Sequence, residues 1–225
     1  MGEPGLTIAI DGVVGSGKTA TARQVAAALG YCHLDTGAMY RAVALAAVRA
    51  GIAPGDTGAL ATLVANLRLE FGPGAAGTRV SLDGNDVTDE IRLPEISRRV
   101  GAYADVPLVR RALVARQQEM GRQGGVVAEG RDVGTVVFPQ AELKVLMLAD
   151  LAVRARRRQA ELAAKGVDVQ LEALTQDIAR RDQEDAERDY GSAGRPADLV
   201  VIDTTDLTLQ GQVDAIVALA RARGA

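Results

Sequence analysis

The sequence contains one cysteine, Cys32, one histidine, His33, and no tryptophan. A single thiol excludes an internal disulfide framework and a cysteine-rich zinc site, and a single imidazole excludes a histidine-based metal cluster. Aromatic residues make up only 3% of the chain, too few for the base-stacking platforms of a single-strand binder. No apolar run approaches the roughly 18 residues that a membrane-spanning helix needs. The opening MGEPGLTIAID has neither the basic flank nor the long apolar stretch of a signal peptide. Charge of one sign is also missing: 26 Lys and Arg stand against 29 Asp and Glu, for a net charge of −3. Such a balance gives no overall attraction to nucleic acid or to an anionic membrane. The expectation is a soluble, cytoplasmic protein with no nucleic-acid or membrane partner. No sustained heptad or obvious dimer surface is visible, which points to a monomer.

Hydrophobic residues fill 48% of the 225 positions, enough for a substantial core in one globular domain with a small insertion. Short continuous apolar runs at Leu6–Ile10, Tyr31–Leu34, Val126–Ala128, Leu143–Leu148 and Leu199–Ile202 read as buried strands. Helical patterns separate most of them: Lys18–Leu29, a helix ending near Arg49, Leu108–Arg122, Ala152–Lys165, Leu171–Glu187 and Leu209–Ala222. This alternation predicts an α/β fold with a parallel sheet covered by helices on both faces. The segment from Ala53 to about Asp105 breaks the rhythm. LRLEFG and RVSLDGNDV carry period-two patterning, with Asp83-Gly84 as a turn signal, so residues 53–105 read as a small, partly antiparallel α+β insertion. The core is then residues 1–52, 106–150 and 168–225.

Polar motifs follow the predicted strands. Asp11 and a glycine-rich turn follow the first, Asp35-Thr36 the second, Glu129-Gly130-Arg131-Asp132 the third, and Asp150 with several arginines the fourth. Ligands of open α/β sheets bind outside the carboxyl ends of the strands, so these motifs are expected to converge.

Gly12-Val13-Val14-Gly15-Ser16-Gly17-Lys18-Thr19 matches G-x-x-x-x-G-K-[ST] between a strand and a helix. Its glycines let backbone N–H groups curl around phosphate oxygens at a helix N-terminus. Lys18 reaches the β- and γ-phosphates, and the Thr19 hydroxyl suits Mg²⁺. The motif defines an ATP site at residues 12–19 but leaves the acceptor open.

Arginines supply the next signal. Leu171, Leu174 and Ile178 make an inward helical stripe, and the same spacing continues through Arg181, Asp185 and Arg188. Either this stripe runs into an enclosed polar site, or the helix end emerges into solvent with intrahelical ion pairs. Arg154, Arg156, Arg157 and Arg158 form a charge run that reads mostly as a solvated face. In a phosphoryl-transfer enzyme one or two of them would close over the donor phosphates as a lid at residues 151–167. Arg157 is the one assigned to ATP. Arg131-Asp132 sits where ligand chemistry happens in this fold, or else is a local ion pair holding the turn.

With the phosphate loop, DTGAMYR (residues 35–41), EGRDVGTVVFP (residues 129–139) and RD-x-x-D-x-x-R (residues 181–188) in this order, the chain resembles the bacterial cytidylate kinases. These are P-loop nucleoside-monophosphate kinases. The likeness spans nearly the whole sequence, and the 53–105 insertion resembles that family's enlarged monophosphate-binding region. The resemblance implies that Thr36 and Arg41 hold the phosphate or sugar side of CMP. It implies that Arg131 and Arg181 face phosphates, with Arg188 near phosphate or sugar and Asp185 near the ribose. Arg110 and Asp132 would read the cytosine edge. The family often has serine where this chain has Thr36, and commonly a base-contacting serine where it has Gly101. Glycine supplies no side-chain bond, so base discrimination would rest more on Arg110 and Asp132. Val13-Val14 replaces a more usual Pro-Ser or Pro-Ala, a neutral change where backbone atoms do the binding.

The expected reaction is in-line transfer of the γ-phosphoryl group of Mg·ATP to CMP or dCMP. Lys18, Arg131 and Arg181 would be catalytic, by position and charge alone. The rivals are a kinase of UMP, AMP or shikimate, and a nucleotide-operated switch.

Overall fold

The computed structural model describes residues 5–74, 77–164, 166–187 and 196–225. Two compact units account for the chain: residues 1–33 with 123–225, and residues 34–122.

The apolar runs become strands β1 (Thr7–Gly12), β2 (Cys32–Asp35), β6 (Val126–Gly130), β7 (Leu143–Leu148) and β8 (Leu199–Asp203) of one five-stranded sheet, ordered β2-β6-β1-β7-β8. β1 lies at the centre, parallel to β6 on one side and to β7 on the other. Its Ile8, Ala9 and Ile10 are fully buried, which explains why the run carries no alternating polar residues. In the first unit the sheet is packed by α1 (Lys18–Leu29) and α8 (Leu209–Arg221). Ile8, Ile10, Val25, Val127, Leu143, Val145, Met147 and Ile216 form its core. Each fully buried side chain of this size contributes about 1.5–3 kcal/mol. β8 is one of the two edge strands, and there Val201 is left exposed although the sequence reads as a buried run. Helices α6 (Leu151–Ala163) and α7 (Leu171–Glu187) pack on each other. Within α7, Leu174 and Ile178 are buried as their spacing predicts, whereas Leu171 is exposed at the first turn.

The second unit is built on α2 (Thr36–Arg49), whose Met39, Ala42, Val43 and Ala44 are fully buried. Around it stand α3 (Thr57–Asn66), α4 (Pro94–Ala104), α5 (Pro107–Gly121) and a three-stranded antiparallel sheet. That sheet consists of β3 (Leu69–Gly74), β4 (Gly77–Leu82) and β5 (Asn85–Asp86). Leu82 pairs with Asn85 across Asp83-Gly84, both with positive φ (51° and 84°), so the turn signal becomes a two-residue hairpin loop. The predicted insertion, residues 53–105, falls inside this unit, which also includes α2 and α5. Among the described residues no helix is long and apolar enough to cross a membrane.

Candidate active site

In the first unit the carboxyl ends of β6, β1 and β7 lie side by side, and the polar motifs that follow them meet there. β1 runs into the loop Gly12–Thr19, and α1 starts at Lys18. Gly15 and Gly17 have φ of +77° and +94°, left-handed values that side chains other than glycine adopt only with strain. Gly17 is the N-cap of α1 and makes no side-chain cap bond, so the helix presents its first N–H groups at the loop. The turn is closed from within: Val13 O accepts from Lys18 Nζ at 2.9 Å and from Ser16 Oγ at 3.0 Å. Behind it, Thr204 Oγ1 lies 3.1 Å from Ser16 O, and Thr21 Oγ1 donates to Gln212 Oε1 at 2.7 Å.

Lys18 is buried, and its pKa falls from 10.5 to about 7. Burial is the main cause and the nearby Arg131 guanidinium adds to it, while Glu129, Asp11 and Asp185 oppose the shift. Thr19 Oγ1 donates to Glu129 Oε2 at 2.9 Å, and His33 Nε2 lies 3.1 Å from Glu129 Oε1. Glu129 is almost fully buried. The register explains its position, since Glu129 is the β6 neighbour of Ile10, one residue before Asp11. A threonine hydroxyl backed by a buried carboxylate is the hard-oxygen setting that suits Mg²⁺. No group of three His, Cys, Asp or Glu residues among the described residues forms a metal cage. Mg²⁺ that arrives with phosphates needs none.

Arg131 donates from Nε to Asp185 Oδ2 at 2.7 Å and from Nη1 to Gly12 O at 3.0 Å. It thereby joins the turn after β6, helix α7 and the phosphate loop. Asp132 is buried and precedes a π-helical turn, Val133–Val137, in which the N–H groups of Thr135, Val136 and Val137 converge on the Asp132 carbonyl. Such turns are frequent at functional sites. Asp11 holds this turn in place: its two carboxylate oxygens accept from the N–H groups of Val133 and Gly134, each at 2.8 Å. Burial pushes the Asp11 pKa up, against these two bonds and the charges of Lys18 and Arg131. Arg181 lies on α7, one turn before Asp185. Arg188 lies outside the described residues.

The arginine run of α6 divides. Arg156 is exposed, and Arg158 pairs with Glu161 at the surface. Arg154 is buried, with its guanidinium on Ala149 O, Val14 O and Asp182, contrary to the reading of the run as a solvated face. Arg157 donates to Thr204 Oγ1 and to the carbonyls of Thr204, Thr205 and Leu207, and so is bound to the turn after β8.

In the second unit Thr36 is buried at the first position of α2. Asp35 caps that helix, accepting from Ala38 N at 2.8 Å, and its other oxygen lies 3.4 Å from Arg41 Nη2. The Nε of Arg41 is buried and has no partner among the described residues. A buried cationic donor left in this way suits an anionic oxygen. Arg110 is half-buried on α5, and Gly101 lies on α4.

The structure thus brings Lys18, Thr19, Arg131 and Asp185 together. Asp11 and Glu129, two of the strand-end residues expected to converge, join them, as does Arg154 of the arginine run; the sequence assigns none of the three a site contact. Glu129 had a signal, a carboxylate at a strand end two residues before Arg131. Its partnership with Thr19 depends on β6 lying beside β1, which the sequence does not state.

The profile of one protein family, described as cytidylate kinase, matches residues 8–222. A curated cytidylate kinase from Geobacter sulfurreducens is 45% identical over 222 residues, covering 99% of this chain and 95% of that protein. One from Pelodictyon phaeoclathratiforme is 44% identical over 229 residues, covering 99% and 97%. Among solved structures, an uncharacterized protein from Eubacterium ventriosum shares the fold, with a TM-score of 0.52 at 12% identity over 96% of this chain and 98% of that one. The chain belongs to the cytidylate kinase family.

Proposed function

We propose that this protein transfers the γ-phosphoryl group of ATP to the phosphate of CMP or dCMP, giving ADP and CDP or dCDP. The protein is a phosphotransferase, a (d)CMP kinase. The observation that carries the reading is the kinship at about 45% identity over nearly the full length. The cluster of Lys18, Arg131 and Asp185 at the phosphate loop agrees with it.

The acceptor phosphate is an anion and a competent nucleophile near neutral pH, so the reaction needs no general base. Catalysis is positioning and charge stabilisation. Residues 12–19 hold the ATP phosphates, with Arg157 also on the ATP side. Lys18 takes up the charge of the β- and γ-phosphates. Arg131 and Arg181 spread the charge of the transferring group. The Nη2 group of Arg131, used by neither of its two bonds, is available for a phosphate oxygen. Thr36 and Arg41 hold the acceptor's phosphate or sugar, Asp185 and Arg188 its ribose side, and Arg110 and Asp132 its base. Thr19 would hold Mg²⁺, with Glu129 behind it. Mg²⁺ bound there neutralises charge on the β- and γ-phosphates. The protein acts in pyrimidine nucleotide metabolism as a cytoplasmic monomer, without nucleic-acid or membrane partners.

The test is ADP formation from Mg·ATP with CMP, dCMP, UMP, AMP or no acceptor, with the diphosphate product identified directly. Turnover with CMP and dCMP alone is expected. Equal turnover with UMP would remove the cytosine selectivity assigned to Arg110 and Asp132. Turnover that ignores the acceptor would point to a nucleotide-operated switch.

A further inference from the structure

Two arginines grip the phosphate loop from different elements, and each also holds a carboxylate of α7. Arg131, after β6, binds Gly12 O and Asp185. Arg154, on α6, binds Val14 O at 3.1 Å and Asp182 Oδ2 at 2.7 Å. The two carbonyls are two residues apart on the loop, and the two carboxylates are three apart on one face of the helix. Helix α7 is therefore tied to the loop at two points, which fix its rotation and its position along its axis. Arg181 is the neighbour of Asp182.

The two ties differ. Arg131 has a donor group to spare for a substrate. Arg154 is buried, and its Nε, Nη1 and Nη2 are all engaged, on Ala149 O, Val14 O and Asp182. The loop packs directly on it: a Cβ at Gly15 would stand 3.1 Å from Arg154 Cβ. Because a trans peptide points its C=O and N–H in opposite directions, the bond that draws Val14 O toward Arg154 turns the Gly15 N–H the other way. Asp182 Oδ1 is buried without a partner among the described residues. Asp182 itself is about one quarter exposed, and an ion pair that leaves one of its oxygens buried and orphaned is a poor device for stability, whereas it does set geometry.

We propose that Arg154 and Asp182 form a positioning pair for phosphoryl transfer. Arg154 orients the phosphate loop through Val14, and through Asp182 it sets the register of α7, so that Arg181 and Asp185 meet the transferring phosphate and the acceptor sugar. Neither residue of the pair touches substrate. The proposal rests on the reading of Arg181 and Asp185 given above.

The experiment compares D182N and R154K with R181M and D185N, using ADP formation with CMP, ATP binding and urea denaturation. D182N keeps the size and an acceptor oxygen while removing the charge. It is expected to hold its denaturation midpoint, to bind ATP within about twofold of the parent, and to lose at least about tenfold in kcat with a raised KM for CMP, the cost of a small misplacement. R154K, which cannot make three directed bonds, is expected to lose as much kcat and to weaken ATP binding as well. A purely structural pair would give the reverse pattern for D182N, lowered stability with unchanged kcat and KM, and that result overturns the proposal. Should R154K fail to fold, D182N decides alone. If R181M and D185N are crippled while D182N and R154K keep parental kinetics, the pair has no positioning role and the reading of Arg181 and Asp185 stands. If R181M and D185N are themselves unimpaired, that reading fails and the proposal falls with it.

Discussion

The Thr19 hydroxyl donates to the Glu129 carboxylate across 2.9 Å, joining the start of α1 to the end of β6. This bond fixes the rotamer of the hydroxyl, leaves its lone pairs for a cation, and sets a buried negative charge behind it. E129Q keeps the shape and removes the charge. We expect the Mg²⁺ concentration for half-maximal activity to rise, and kcat to fall by about tenfold or more, as for outer-shell partners of metal sites. A Mg²⁺ titration of ADP formation checks this. An unchanged half-maximal concentration would relieve Glu129 of any part in metal binding.

The Arg131–Asp185 pair is about one quarter exposed on each side, so solvent screens it and its share of stability is small. Loss of its guanidinium beside the transferring charge has a far larger effect on rate. R131M is expected to lose at least about 100-fold in kcat, the scale seen when one donor to developing charge is removed. Its urea midpoint should shift by less than about 1 kcal/mol of stability. Rate and stability falling together would instead make Arg131 a structural tie between the turn after β6 and α7.

Much of this arrangement was legible in the sequence, and the reasons are local. Ile8–Ile10 of β1 and Val126–Ala128 of β6 are buried on both faces, so their apolar runs are unbroken, whereas β7 carries a buried Lys144 paired with Asp198. The phosphate loop and the Asp83-Gly84 turn depend on glycines at positive φ, which a short motif encodes. What was hidden depends on long-range packing. Arg154 and Arg156 are both arginines of one charge run, and only the docking of α6 makes the first buried and leaves the second in water. From its place at a strand end Asp11 reads only as one of the polar residues expected to converge on a ligand. The structure instead commits both its oxygens to the N–H groups of Val133 and Gly134.

Gly17 shows how tightly the loop is confined. Its φ is +94°, and a Cβ there would stand 2.9 Å from Gln212 Oε1, the atom that accepts from Thr21. G17A should therefore lose about 1–2 kcal/mol to backbone strain alone. Displacing Gln212 adds to this. ATP binding should weaken more than CMP binding, because the strain falls on the donor loop. Equilibrium binding of each nucleotide separately, with a denaturation curve, distinguishes this from general unfolding. Equal weakening of both would count against a local effect.

Lys18 gives a pH dependence of stability whose sign follows from its burial. In the folded protein its pKa is lowered to about 7, against 10.5 ordinarily. Below about pH 7 both folded and unfolded chains carry the proton, and the folded chain bears the full penalty of a buried cation. Between about pH 7 and the ordinary value the folded chain has released the proton and the unfolded chain still holds it. The unfolded state then binds more protons, so stability rises with pH across this window. K18M removes the titration and keeps an apolar chain of similar length. Without nucleotide or metal, the stability of the parent relative to K18M should rise between pH 7 and 10, by up to about 1.4 kcal/mol per pH unit. Urea denaturation of both proteins at pH 6.5, 8.0 and 9.5 measures the difference, in which titrations common to the two cancel. A flat difference would mean that Lys18 keeps its charge in the empty site.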